Sequence, residues 1–166
     1  MGIAMRDGPR ARRVRGFTLI ELLITVAILA LLAGGAMTVA DLAVRRSQEQ
    51  ELRASLRQIR VAIDAYKTAA DAKRIQQSAD ASGYPPTLAA LTDGVPDATS
   101  AGARKLYFLR RLPRDPMADP ALPAEATWGL RSHESDADNP RPGRDVFDVY
   151  SQSPKQSLAG RPYREW

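Results

Sequence analysis

From residue 17 to residue 40 the chain is apolar at nearly every position and has no polar face. Only Glu21 and three threonines interrupt the run. At about 1.5 Å per residue, these 24 residues make a helix about 36 Å long, enough to span hydrocarbon about 30 Å thick. Beyond residue 40 the pattern changes. Leu52, Leu56, Ile59, Ile63, Tyr66 and Ala70 recur at spacings of 4, 3, 4, 3 and 4, which draws one apolar stripe along a helix. No proline occurs between residues 10 and 84. The pattern therefore predicts one continuous helix from about residue 17 to about residue 79, with a membrane-spanning first half and an amphipathic second half. The stripe could form a coiled coil, but a small folded domain follows and is the better partner for it. Glu49 with Arg53 and Arg60 with Asp64 are expected to pair at i,i+4 on the exposed side, at a few tenths of a kcal/mol each.

Residues 83–166 hold 11 of the 12 prolines and read as a different kind of structure. Gly83, Tyr84, Pro85 and Pro86 stop the long helix. Thr87 can cap a short helix through Leu91, and Gly94 can end it. Tyr107, Phe108 and Leu109 form a short apolar run closed by Pro113. Residues 128–130 and 146–150 read as short strands, with residues 139–143 as a turn between them. The expected fold class is α+β, a long N-terminal helix packed on a small antiparallel β-sheet. Trp128, Phe147, Tyr150 and Trp166 are expected to pack that sheet against the helix.

Charge narrows the possible partners. Residues 1–16 carry Arg6, Arg10, Arg12, Arg13 and Arg15 against Asp7, a net of +4. The other 150 residues carry 19 basic and 18 acidic side chains, a net of +1. A nucleic-acid binder needs a basic face on its folded domain, so no nucleic-acid partner is expected. Cysteine is absent, which excludes disulfides and thiolate chemistry. Five arginines before the apolar run place the N-terminus in the cytoplasm and the following domain across the membrane.

Catalytic and metal chemistry find little support. His133 is the only histidine and has no recognisable nucleophile motif to serve, so it reads as a surface residue. Residues 133–139 are the one metal-like cluster, but calcium wants six to eight oxygens and this stretch lacks the loop glycine and distant glutamate of an EF-hand. A solvated loop is the favoured reading, and Asp136 and Asp138 are the candidate ligands should a metal bind. There is no Gly-rich phosphate loop.

Glu21 is the residue that calls for a function. A carboxylate at the centre of a spanning helix costs about 2.5–3.5 kcal/mol on insertion scales and needs a partner. A secretory signal would tolerate the basic residues and could use the small residues Ala33, Gly34, Gly35 and Ala36 for cleavage, but its apolar core is shorter and uncharged. A plain signal anchor gives Glu21 no role.

Arg15, Gly16, Phe17, Thr18, Leu19, Ile20 and Glu21 together resemble the type III signal of type IV pilin-like proteins, including type II secretion pseudopilins. The resemblance implies a basic leader, residues 1–16, cut between Gly16 and Phe17 by a prepilin peptidase. That enzyme would N-methylate Phe17, and Glu21 would pair with the Phe17 amine of a neighbouring subunit. It divides the chain into leader 1–16, transmembrane and filament-core helix 17–40, and periplasmic head 41–166.

Later stretches resemble the protein G-like subgroup of pseudopilins. Gly83-Tyr84-Pro85-Pro86-Thr87-Leu88-Ala89-Ala90-Leu91 is similar to its G-Y-P-x-S/T-L-x-x-L element. Residues 109–116, 145–151 and 160–166 are similar to its L-P-x-D-P element and its ending. Two departures stand out. The proline common in the second half of the apolar segment is missing, and Gly34 and Gly35 could supply similar softness. The subgroup's calcium loop, rich in aspartate, is matched by residues 151–156, which hold no carboxylate, so a calcium cofactor is not carried over.

The function so implied is a structural, non-enzymatic subunit of a type II secretion pseudopilus, supporting protein export across the outer membrane. Its partners would be prepilin peptidase, other pseudopilin subunits, the inner-membrane assembly platform and the secretion ATPase. It would sit in the bacterial inner membrane as a single-pass protein before entering a periplasmic filament. Alternatives are a subunit of a surface type IV pilus for adhesion, motility or DNA uptake, and a helix-anchored periplasmic binding module that never polymerises.

Overall fold

The computed structural model describes residues 17–100, 102 and 104–166. The expected leader, with Gly16, lies outside the described residues. The architecture is α+β: a long N-terminal helix packed on small antiparallel sheets. The described residues divide into two units, with the boundary between Leu42 and Ala43.

Helix α1 (Leu19–Asp71) supplies the backbone of the head. All six stripe residues, Leu52, Leu56, Ile59, Ile63, Tyr66 and Ala70, are buried. Ala62 and Ala69 widen the buried side, and their small side chains let the head approach closely. The helix ends earlier than expected, at Asp71 rather than near residue 79. Arg74 N–H bonds the Ala69 carbonyl and Lys73 N–H bonds the Ala70 carbonyl, both at 2.9 Å. This pair of bonds is a Schellman closure, with Lys73 at φ 59° in the left-handed position that glycine usually fills. A stop written with lysine carries no glycine or proline signal.

Arg74 then anchors the next segment, through an ion pair with Asp97 at 2.6 Å and through its carbonyl, which accepts from Ala98 N–H at 2.8 Å. Helix α2 (Ala89–Asp93) follows. It runs two residues past the expected Leu91 and its N-cap residue is Leu88 rather than Thr87, whose hydroxyl still accepts from Ala90 N–H at 3.3 Å; Gly94 ends it at φ 76°, as expected. Strands β1 (Val95–Pro96) and β2 (Lys105–Leu106) pair antiparallel. The apolar run of residues 107–109 follows β2 without regular secondary structure. Leu109 is buried, Tyr107 is exposed, and the N–H groups of Phe108 and Leu109 both reach the Leu91 carbonyl.

Strands β3 (Trp128–Arg131) and β4 (Asp148–Ser151) form a second antiparallel pair, in register from Trp128 opposite Ser151 to Arg131 opposite Asp148. Two two-stranded sheets thus replace the single sheet expected. Strand β4 starts two residues later than expected because Val146 N–H turns aside to the Pro85 carbonyl at 2.8 Å. Gly129 is required opposite Tyr150, since a Cβ there would stand 2.3 Å from the ring. Leu88, Leu91, Leu109, Trp128, Val146, Val149 and Tyr163 complete one core over the stripe.

The expected aromatic packing holds in part. Trp128 is buried in the core and its indole N–H reaches the Pro113 carbonyl at 2.9 Å. Trp166 lies edge-on to Tyr163 and under the Arg53 guanidinium, so it does meet α1. Phe147 instead joins Tyr84 and His133 in a cluster, and Tyr150 covers Gly129.

The two expected i,i+4 pairs do not form. Glu49 is buried and accepts from Leu158 N–H and the Tyr163 hydroxyl. Arg60 gives Nε to Asp148 at 2.7 Å and an Nη to the Val149 and Trp166 carbonyls. Partners supplied by the C-terminal segment compete better than a solvated side chain one turn away, because exposed pairs contribute little. Lys67 and Asp71 do pair at i,i+4.

Candidate functional site

The start of α1 is the site singled out by sequence. Thr18 precedes the first helical residue, and its hydroxyl accepts from Glu21 N–H at 3.3 Å. Thr18-Leu19-Ile20-Glu21 has the T-x-x-E spacing of a capping box, which lowers the cost of the unpaired N–H groups at a helix start. Glu21 therefore stands in the first turn, where the helix dipole favours an anion. Thr25 satisfies its own hydroxyl by donating to the Leu22 carbonyl at 2.9 Å. Both threonines that start this run are thus accommodated without a partner from elsewhere in the chain.

The apolar side chains around them have no such cover. Phe17, Leu19, Ile20, Leu22, Leu23, Ile24, Val26, Ile28, Leu29, Leu31 and Leu32 are all between 51% and 83% exposed. They surround the helix rather than forming a stripe. A helix that is apolar on every side is covered in its working state by lipid or by other apolar helices. Among the described residues no helix is long and apolar enough to cross a membrane. The side chains of residues 34–39 lie outside the described set, and residues 17–33 alone reach about 26 Å, short of the hydrocarbon thickness. The expected span of residues 17–40 is therefore carried by the sequence.

Residues 11–37 match the family model for the prokaryotic N-terminal methylation motif. This chain carries that motif. The methylation motif covers Gly16, Phe17 and Glu21 and indicates a type IV pilin-like substrate of prepilin peptidase. No curated protein and no solved structure matches the chain significantly.

The head holds the remaining candidates apart from one another. Asp136 and Asp138 are exposed, and no group of three or more metal-type side chains is gathered among the described residues. His133 is exposed and its ring is stacked on Tyr84 at 5.6 Å between ring centroids, while its backbone N–H donates to Asp145 Oδ1 at 2.9 Å. Burial works to raise the Asp145 carboxyl, but hydrogen bonds from Ser82, His133 N–H and Ser132 outweigh it and hold the group below its ordinary value. Hydrogen bonds from Arg74 and then Thr99 bring Asp97 down to about 2.

The calcium implied by the subgroup does not fit the end of β4. Ser151 Oγ donates to Asp115 Oδ2 at 2.5 Å, and Met117 N–H donates to Asp115 Oδ1 at 2.7 Å. Ser153 N–H reaches Ser151 Oγ, and the Gln152 amide donates to the Trp128 carbonyl. The buried Asp115 carboxylate is already occupied by donors of the chain itself.

Sequence reasoning missed the clasp of Glu49, Arg60, Tyr163 and Trp166 between α1 and the C-terminal segment. A glutamate at an edge of an apolar stripe was the available signal. The T-x-x-E spacing at Thr18 and Glu21 was fully local and could have been read.

Proposed function

We propose that this protein is a structural subunit of a type II secretion pseudopilus. Prepilin peptidase cuts the precursor between Gly16 and Phe17 and N-methylates Phe17. Residues 17–40 then hold the subunit in the bacterial inner membrane, with the head in the periplasm. The observation that carries this reading is the exposed, all-round apolar start of α1 with one carboxylate in its first turn, inside a methylation motif.

The chemistry of assembly follows from that arrangement. Cleavage frees an α-amine on Phe17 with a pKa of about 8, mostly cationic at neutral pH, and methylation keeps the charge. Glu21 of one subunit pairs with the Phe17 amine of the next, and the pair fixes the stagger between helices. Burial of the apolar segments against each other replaces lipid contact as an assembly platform and ATPase extract the subunit. The head does no chemistry and forms the filament surface. Its resemblance to the protein G-like subgroup over residues 83–91 and 109–116 supports secretion over a surface pilus.

Intact mass and N-terminal sequencing of the protein from membranes, with and without active peptidase, tests the processing step. The expected product starts at N-methylated Phe17 only when the peptidase is active. A full-length chain under both conditions overturns the reading. In a deletion strain, loss of exported enzymes with surface pili intact supports the pseudopilus, and the reverse outcome assigns the protein to a surface pilus.

A further inference from the structure

A cavity of about 410 Å³ lies between α1 and the C-terminal segment, and its wall carries Arg53, Arg57, Arg60 and Arg161 against one carboxylate, Glu165. Spacings of four and three set the first three arginines along one side of α1. Arg60 is engaged by Asp148 and by the Val149 and Trp166 carbonyls. Arg53 is held with its guanidinium carbon 4.3 Å from the Trp166 ring centroid, a cation–π contact. Among the described residues, the side chains of Arg57 and Arg161 have neither an ion-pair nor a hydrogen-bond partner.

Like charges gathered in one concavity repel, and an anion seated there relieves the repulsion. The volume is within the range of ligand-binding clefts and larger than one small anion requires. The wall is also not purely polar, because the Trp166 ring and the buried Leu56 line it beside the guanidinium groups. Arginine forks match carboxylates, and an apolar wall beside them selects a ligand with apolar groups as well. Residues 17–166 carry 19 basic and 18 acidic side chains, a net of +1, which gives a polyanion such as nucleic acid little overall attraction.

We propose that this arginine groove binds an acidic polypeptide segment of a partner protein, with carboxylates on Arg57 and Arg161 and an apolar side chain against Trp166. The inference concerns the head alone and stands whether or not the chain polymerises.

The test is fluorescence anisotropy of a fluorescein-labelled peptide, four repeats of Glu-Glu-Leu, titrated with the full chain in detergent micelles at low salt. Saturable binding is expected, weakened about tenfold by Arg57→Glu and by Arg161→Glu. Arg104→Glu, an exposed site outside the groove, should leave it within about twofold. Thermal melts equal to the parent establish that the variants fold. Absence of saturable binding overturns the proposal, and so does equal weakening by Arg104→Glu. Displacement of the peptide by micromolar inorganic phosphate reassigns the groove to a small anion and overturns it too. Arg57-dependent retention on phosphatidylglycerol vesicles without peptide binding would overturn it in favour of a lipid surface.

Discussion

The Tyr163 hydroxyl donates to Glu49 Oε1 at 3.0 Å, and both residues are buried. The same oxygen accepts from Leu158 N–H at 2.7 Å, so one carboxylate ties α1 to the C-terminal segment twice. Glu49→Ala leaves two donors without their acceptor. The expected cost is about 2 kcal/mol, read as a fall of several degrees in the melting temperature of the head. Glu49→Gln keeps one acceptor oxygen and should recover much of the loss.

Tyr163 also carries a pH signature. Burial, reinforced by its bond to Glu49, raises the phenol above its ordinary value. A raised group contributes stability that is complete below the unfolded-state value of about 10 and fades as pH rises through the folded value. Ultraviolet difference titration should show one tyrosine ionising after the others, and Glu49→Ala should bring it forward. Five tyrosines ionising together would contradict the packing described for Tyr163.

At the end of β4, the Ser151 hydroxyl donates to the buried Asp115 carboxylate. Ser151→Ala removes a donor from a buried carboxylate and should destabilise the head by about 1.5–3 kcal/mol. Millimolar calcium or a chelator should leave the parent's melting temperature unchanged within about 1 °C. A rise of several degrees with calcium would reveal ligands that this geometry does not supply.

Local periodicity and distant partners account for what could be read from sequence. The stripe from Leu52 to Ala70 was legible because helix period and burial are written in the same residues. Val149 was placed in a strand for the same reason, by partial alternation along residues 146–150, which β4 repeats in its burial. The helix stop at Asp71 was not legible, since Lys73 adopts the left-handed conformation without a glycine. Arg60 was read as a partner for Asp64, yet its acceptor, Asp148, is 88 residues away. Nothing local encodes that choice. At the N-terminus the roles reverse: the T-x-x-E spacing is local, and the methylation motif around it carries the functional reading.

Asp97 provides a titration on the acid side. Its carboxyl is held at about 2 by hydrogen bonds from Arg74 and Thr99. A depressed carboxyl contributes stability above its unfolded value of about 4, and the contribution is lost as pH falls from about 4 to about 2. Carbon-detected NMR of the Asp97 side chain should give the low midpoint, and Arg74→Ala should move it up toward the ordinary range. An Asp97 midpoint near 4 in the parent would mean that the link between residues 74 and 97 is open in solution.

Glu21 has two candidate roles that a conservative substitution separates. In the first turn of α1 its N–H donates to the Thr18 hydroxyl, and its side chain holds the last position of the T-x-x-E spacing, a local role that glutamine suits as well as glutamate. As a charge it would meet the Phe17 amine of a neighbouring subunit, a role that glutamine cannot fill. Glu21→Val and Glu21→Gln should both be processed to start at residue 17, because the cleaved bond lies before the helix. Both should fail to form filaments when sheared fractions are examined by electron microscopy. If Glu21→Gln assembles like the parent, capping is the whole contribution of this residue and the staggered charge pair is wrong. If Glu21→Asp assembles weakly while glutamine does not assemble at all, charge at this position drives assembly and reach tunes it.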